Sequence, residues 1–121
     1  MLKEERLSYV IRGCVYEVFR HLGGGFLEKV YENALLKELQ TQGLRAESQV
    51  LIKVRYKSAV VGEYIADVIV EDSVIIELKA QQQLSKVSEA QLLNYLKATN
   101  INIGMLVNFA FQGATIKRLV I

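Results

Sequence analysis

The sequence of 121 residues predicts an α/β fold with a mixed central sheet flanked by helices. Two adjacent runs rich in β-branched residues, 64–70 and 74–79, are typical of an antiparallel hairpin. The chain opens with helical apolar periodicity, which predicts an amphipathic helix ahead of the sheet. A helix between two strands near the end predicts a right-handed crossover joining parallel strands. We expect one domain spanning residues 1–121, because a chain of this length forms a single core.

Two helices are predicted before the first strand. Apolar residues at i, i+3, i+4 and i+7 predict the first from about residue 3 to 22. Glycines at 23–25 favour a hinge between helices over a phosphate-binding loop, since no strand precedes them and no Gly-Lys-Ser/Thr follows. The second helix is predicted from about Phe26 to Gln42, with Gly43 closing it. Its predicted inner stripe is Leu27, Val30, Tyr31, Ala34, Leu35 and Leu39.

The strands follow as a meander and then a crossover. Alternation predicts strands over 49–56 and 60–70, joined by a turn, with the 74–79 strand next. Lys53, Arg55 and Lys57 could form a basic stripe for phosphates, but a solvated strand face is the favoured interpretation. After a polar connection, a helix is predicted from about residue 87 or 88 to 98. A buried strand at 103–108, a loop at 109–113 and an edge strand at 115–120 complete the order.

Composition and charge exclude several classes of protein. The chain is 51% hydrophobic and 23% charged, as in ordinary globular proteins, and its net charge of +2 permits a polyanionic partner without arguing for one. A lone cysteine, Cys14, excludes an internal disulfide or a cysteine zinc cluster, and its place on an apolar stripe predicts a buried thiol. His21 ends a helix, where a structural role is favoured. With neither a signal peptide nor a membrane span predicted, we expect a cytoplasmic protein without a membrane partner.

Three charged residues interrupt the otherwise apolar hairpin. With a three-residue loop after Val70, that residue faces Val74, and Asp67 falls opposite Glu77. Opposed residues hold their Cβ atoms roughly 4.5–5.5 Å apart, and carboxylates that close repel unless a cation or a shared proton lies between them. Alternation places Lys79 on the face of Glu77. For such a triplet alone, a structural ion-pair network is the favoured explanation.

Further motifs surround this triplet. Glu28 opens a predicted helix, while Gln91 and Tyr95 share one face of another. The ordered set resembles the PD-(D/E)XK nuclease superfamily, whose core is α-β-β-β-α-β, here with an extra N-terminal helix. Within it, the chain looks more closely like the small GxxExxY proteins. The resemblance covers roughly residues 5–121 and is carried by segments 25–32, 62–67, 76–80, 90–97, 104–109 and 116–120.

The sequence departs from the pattern at three positions. Ala66 stands where the superfamily has its nominal proline, and Gly24 where a proline is expected. Ile65 replaces a basic residue that is common there, which weakens a contact with substrate phosphate. None of these changes touches the metal ligands that the resemblance implies.

The resemblance implies a metal site. Asp67 and Glu77 would bind Mg²⁺ or Mn²⁺, hard cations that prefer oxygen ligands. In the superfamily the main-chain carbonyl of the residue at Leu78 often completes such a site. Glu28 would supply a further carboxylate, directly or through water.

It also implies an activity and its partners. Lys79 would orient or deprotonate the attacking water, and Gln91 would steady the lysine or a metal-bound water, although packing or capping explains Gln91 and Tyr95 equally well. We expect a Mg²⁺-dependent endonuclease acting on nucleic acid, DNA ahead of RNA, alone, as a homodimer or with a companion protein. The alternatives are a non-catalytic binding module that keeps the fold and a nuclease subunit that needs a partner for targeting.

Overall fold

The computed structural model describes residues 3–121, with side chains from Glu4 onward. Within that range, three helices and five strands follow one another in the predicted order. The elements are α1 (Lys3–Leu22), α2 (Glu28–Thr41), β1 (Ala46–Tyr56), β2 (Ala59–Val70), β3 (Val74–Lys79), α3 (Lys86–Thr99), β4 (Ile103–Ala110) and β5 (Gly113–Val120).

The sheet is mixed, as the sequence predicts. Its strands lie side by side in chain order from β1 to β5. Neighbours are antiparallel except for β3 and β4, which are parallel and are joined through α3. The predicted hairpin register is confirmed, because Val70 pairs with Val74. β5 lies at an edge, also as predicted.

Helices cover both faces of the sheet. Val74, Ile76 and Leu78 of β3 pack in one apolar cluster with α1 and α2. Ile75 packs in a second cluster with α3. This division follows from strand alternation, which sends successive side chains to opposite faces. Glu77 and Lys79 therefore belong to the α3 face, at the end of a strand that is otherwise buried in apolar surroundings.

The single cysteine is buried, as expected. Cys14 of α1 lies in the cluster beneath α1 and α2. Burial, reinforced by the charge of Glu38, raises the pKa of its thiol to about 11. A thiol held in its neutral form is a poor nucleophile and a poor metal ligand.

Among residues 3–121 no helix is both long and apolar enough to cross a membrane.

In β1 and β2 the side chains change from one face of the sheet to the other at the same level. Their pairing runs from Ser48↔Val68 to Val50↔Ala66 and skips Gln49 and Asp67 between them. Val68 packs with α1 and α2, whereas Ala66, two residues earlier, packs with α3. Residues two apart in a regular strand share a face, so β2 twists through the sheet at Asp67. Gln49 adopts φ 54° at the same level.

Several predicted boundaries are wrong at their ends. α2 begins at Glu28 and not at Phe26, because Leu27 has extended backbone angles and caps the helix. Leu27 is 80% exposed and Val30 38%, so neither belongs to the inner stripe. Leu27 precedes the helix and Val30 lies in its first turn, and neither belongs to the cluster that buries Tyr31.

The strands are longer than predicted. β1 starts at Ala46, where pairing with Val70 overrides the weak strand preference of the segment. β4 continues to Ala110, which pairs with Gly113 across a two-residue turn, so the predicted loop at 109–113 is mostly strand. α3 extends one or two residues past its predicted ends and stops at Asn100, which has the left-handed conformation typical of a helix C-cap.

Candidate active site

Asp67 and Glu77 hold β2 and β3 together where the regular ladder ends. The last pair of that ladder is Val68↔Ile76. One residue further, the Asp67 N–H donates to Oε1 of Glu77 at 3.0 Å, and the Leu78 N–H donates to Oδ2 of Asp67 at 2.9 Å. Each carboxylate thus replaces a strand–strand hydrogen bond. The two acids are fixed side by side at a gap in the sheet.

The electrostatics of this pair favour one shared proton or a bound cation. Burial, followed by the charge of Asp67, raises the pKa of Glu77 to about 8. Burial also raises the pKa of Asp67, against the lowering effect of the hydrogen bond from the Leu78 N–H. A hydrogen bond between the carboxyl groups lowers the pKa of Asp67 and raises that of Glu77. This hydrogen bond favours the proton on Glu77 over Asp67.

The N-terminus of α2 brings a third carboxylate towards the pair. Glu28 is the first residue of the helix and is partly buried. Its pKa is raised, mainly by burial and further by the charges of Asp67 and Glu32, while Lys79 lowers it. The same lysine lowers the pKa values of Asp67 and Glu77. The structure therefore brings Glu28, Asp67, Glu77 and Lys79 into one electrostatic neighbourhood.

Glu32 is a further member that the sequence analysis missed. It is 3% exposed, accepts from Nζ of Lys29 at 2.8 Å, and accepts from Nε2 of Gln49 at 3.0 Å with both oxygens. Its charge raises the pKa of Asp67. The signal in the sequence was its spacing of four from Glu28, which puts both on one helix face. Gln49, at the twist in β1, offered no such signal.

α3 closes the other side of the site through Tyr95. That residue is 4% exposed, and its ring lies 5.5 Å from the ring of Tyr64. Burial, then the charges of Glu77 and Asp67, raise the pKa of Tyr95 to about 12, and the neighbouring Gln91 side chain acts in the opposite direction. The phenol stays protonated and able to donate. The Gln91 side chain lies beside the Tyr95 hydroxyl.

The oxygen ligands at this site suit a hard, hydrated cation. Among residues 3–121, no three Asp, Glu, His or Cys side chains are grouped so as to hold a metal ion by themselves. Asp67 and Glu77 each use one oxygen on a backbone N–H, which leaves the other for a ligand. β2 pairs with no residue of β3 beyond Ile76, so the Leu78 carbonyl has no strand pair on that side. Two carboxylate oxygens and a carbonyl fit Mg²⁺, which keeps several waters.

Comparisons with known proteins agree with this architecture. Residues 5–119 match the family model described as the PD-(D/E)XK nuclease superfamily. A solved structure titled "Crystal structure of SSO0001" superposes with a TM-score of 0.64 at 19% sequence identity, covering 77% of this chain and 50% of that one. The chain therefore spans about half the length of that protein. No match was found among curated proteins.

Proposed function

Because the chain belongs to the PD-(D/E)XK nuclease superfamily, we propose that it is a metal-dependent nuclease cleaving phosphodiester bonds of DNA or RNA. The observation that carries the proposal is the buried carboxylate pair. Asp67 and Glu77 project from neighbouring strands into one gap, where burial and the charge of Asp67 raise the pKa of Glu77 to about 8. A structural ion pair would place a cationic side chain there. Among the described residues, neither acid forms an ion pair.

The proposal gives the acids the role of metal ligands. Asp67, Glu77 and the Leu78 carbonyl would hold Mg²⁺ or Mn²⁺, and Glu28 would contribute through water, consistent with the lack of a third grouped side chain. When bound, the metal supplies charge neutralisation at the phosphate and a lowered pKa for its water. The twist of β2 at Asp67 supports this role, because it aims a polar side chain into a sheet that is apolar on both sides.

The remaining residues position water and protons. Lys79 lies close enough to lower the pKa values of Glu28, Asp67 and Glu77, so its ammonium would stabilise negative charge building on the phosphate. Gln91 can donate or accept at a water beside the acids. Tyr95, with its pKa raised to about 12, would donate a hydrogen bond and not act as a base.

A second candidate is a non-catalytic binding module that keeps the same fold. The missing third side-chain ligand favours it, because the pair of acids would then share a proton and hold the strands together.

The small size of the domain adds another variant of the first candidate. A second copy of the chain, or a companion protein, would then help to grip the nucleic acid.

The test combines cation binding with cleavage. Glu77→Gln keeps the oxygen that accepts from the Asp67 N–H but removes a charge from the proposed metal site. We expect it to abolish Mg²⁺ binding measured by calorimetry and to lower cleavage of single-stranded and duplex DNA and RNA by about 10²-fold or more. Glu63→Gln is the matched control, an exposed carboxylate of β2 away from the acids.

Either of two results would contradict the proposal. Cleavage by Glu77→Gln at the wild-type rate would show that a different site or a contaminant does the chemistry. Wild-type protein that binds no divalent cation, even with nucleic acid present, would favour the binding module.

A further inference from the structure

A groove runs along α3 on the face of the sheet that carries Glu77. It lies between the helix and the β1–β2 hairpin and encloses about 450 Å³. We call it the α3–hairpin groove, and its lining residues are Lys53, Val54, Arg55, Tyr64, Asn94, Lys97 and Ala98. A space of this size is that of a small-molecule pocket, which holds about one or two nucleotides.

The charged residues that line the groove are all positive. Lys53, Arg55 and Lys97 are among its lining residues, and no carboxylate is. Lys53 and Arg55 alternate with Ile52 and Val54, so their side chains leave the face of β1 away from α3 and border the groove at the free edge of the sheet. Within residues 3–121 none of these three cations forms an ion pair, although Glu63 is the register partner of Lys53. Some surface cations elsewhere are paired; Lys117, for example, bonds to Glu89 at 2.8 Å. Three unpaired cations around one concave space favour an anion with several charges.

The groove continues along α3 towards Tyr95, which packs against Tyr64. Tyr64 and Asn94 also line a second cavity of about 280 Å³, together with Gln91 and Tyr95. Tyr95 in turn lies close enough to Glu77 and Asp67 for their charges to raise its pKa. Along α3 the path from Gln91 to Ala98 covers seven residues, or about 10 Å.

An aromatic ring lies where the two cavities meet. Tyr64 is 47% exposed, and its ring is held by contact with the ring of Tyr95 at 5.5 Å between centroids. A ring fixed on one side and open on the other is a platform on which a base can stack. Cations for phosphates next to such a platform form the combination that proteins use for single strands.

We propose that the α3–hairpin groove binds a single strand of nucleic acid leading to the Asp67–Glu77 pair. Lys53, Arg55 and Lys97 contact its phosphates, and Tyr64 stacks on a base. The proposal rests on the proposed nuclease function, since it names the form of substrate that the site receives. The favoured substrate is thus a single strand or an unpaired end, and the basic residues of β1 are a binding surface and not merely a solvated face.

The test measures binding separately from cleavage. In the Glu77→Gln background, fluorescence anisotropy with a labelled single-stranded oligonucleotide compares Arg55→Ala/Lys97→Ala with Arg6→Ala/Lys37→Ala. Both doubles remove one exposed arginine and one exposed lysine, but only the first pair lines the groove. We expect the groove double to weaken binding about tenfold or more and to reduce the slope of log K against log salt by about 1.4, from roughly 0.7 per phosphate contact. The control double changes neither.

A second pair of variants tests the stacking platform. Tyr64→Ala should weaken binding about tenfold, whereas Tyr64→Phe, which keeps the ring, should bind like the parent. A duplex of the same sequence should bind more weakly than the single strand. Equal loss in the two double variants, or tighter binding of duplex, would overturn the proposal.

The two proposals fail in different ways. If the groove variants weaken binding while no cation-dependent cleavage is found for any substrate, the groove stands and the nuclease proposal falls. If cleavage depends on Glu77 but single-strand binding is indifferent to Arg55 and Lys97, the nuclease proposal stands and the groove falls.

Discussion

At the scale of single residues, the most consequential pair is Asp67 and Glu77. Strand β3 is buried along almost its whole length, and Glu77 is 5% exposed, yet its carboxyl group has a neighbouring acid and no cationic side chain in ion-pair contact among the described residues. Burying an acid in this way costs stability once it ionises. The protein accepts that cost at one position only in β3. This is the pattern expected where a site is tuned for function.

The raised pKa values predict how stability without divalent cations depends on pH. The folded state keeps the Glu77 proton up to about pH 8, while the unfolded chain releases it near the ordinary glutamate pKa of 4.5. Between these values the folded state binds more protons, so the free energy of unfolding falls as pH rises from about 4.5 to about 8, by at most about 1.4 kcal/mol per unit. The raised pKa of Asp67 acts in the same direction.

Urea denaturation with a chelator at several pH values between 5 and 8 measures this dependence. Glu77→Gln should flatten the pH profile, and Glu63→Gln should leave it unchanged. A stability that rises with pH over this range in the wild type would show that the acids are not buried as described. Adding Mg²⁺ at pH 8 should restore stability to the wild type alone, because binding to the folded state stabilises it.

At the scale of elements, the loop between α1 and α2 positions Glu28. The phenol of Tyr31 donates to the Gly23 carbonyl at 2.5 Å and accepts from the Phe26 N–H at 3.2 Å. Its ring stacks on Phe109 of β4, 4.4 Å away and nearly parallel. Tyr31 thus ties the loop to the sheet one turn after Glu28, which fixes where α2 begins.

Removing that phenol tests its role. Tyr31→Phe keeps the stacked ring but leaves a carbonyl and an N–H without their partner. We expect a loss of about 1–2 kcal/mol in the free energy of unfolding, measured by urea denaturation. Tyr16→Phe, at a half-exposed position in α1, should change stability by less than about 0.5 kcal/mol. Equal effects in the two variants would mean that the loop is not held by this hydroxyl.

At the scale of the whole molecule, the α1–α2 loop meets the β4–β5 turn. A Cβ atom at Gly24 would collide with backbone atoms of Phe111. Only glycine permits this approach, which explains why the proline expected there is absent. The contact links the helical layer to the far end of the sheet, next to the end of β3.

A pair of alanine substitutions tests this contact. Gly24→Ala should destabilise the protein by about 1–3 kcal/mol, because backbone must move to admit the methyl group. Gly13→Ala, in the middle of α1 with no atom within 4 Å of the new Cβ, should stabilise it by about 0.5–1 kcal/mol. Thermal denaturation of both variants gives the answer. A neutral Gly24→Ala would show that the loop and the turn are not in contact in solution.

The order and type of the elements could be predicted because they depend on local periodicity. The helical stripe of α1, the β-branched runs of β2 and β3, and the register set by a three-residue turn are all written in neighbouring residues. Glycine and asparagine at the helix ends marked their stops. Errors arose at element ends, where pairing or capping by distant residues decided the outcome, as at Ala46 and Leu27.

The residues of the candidate site could be named from sequence, but their arrangement could not. Opposed positions in a hairpin brought Asp67 and Glu77 together, strand alternation added Lys79, and the resemblance to a nuclease superfamily added Glu28 and Gln91. Glu32 and Gln49 joined the site only through a contact across 17 positions of sequence. The groove of cations beside α3 likewise required the packing of a helix on a hairpin. The sequence by itself determined which side chains and elements exist, because those depend on neighbours along the chain. The tertiary structure alone decided the twist at Asp67, the raised pKa values and the groove, because burial and charge depend on neighbours in space.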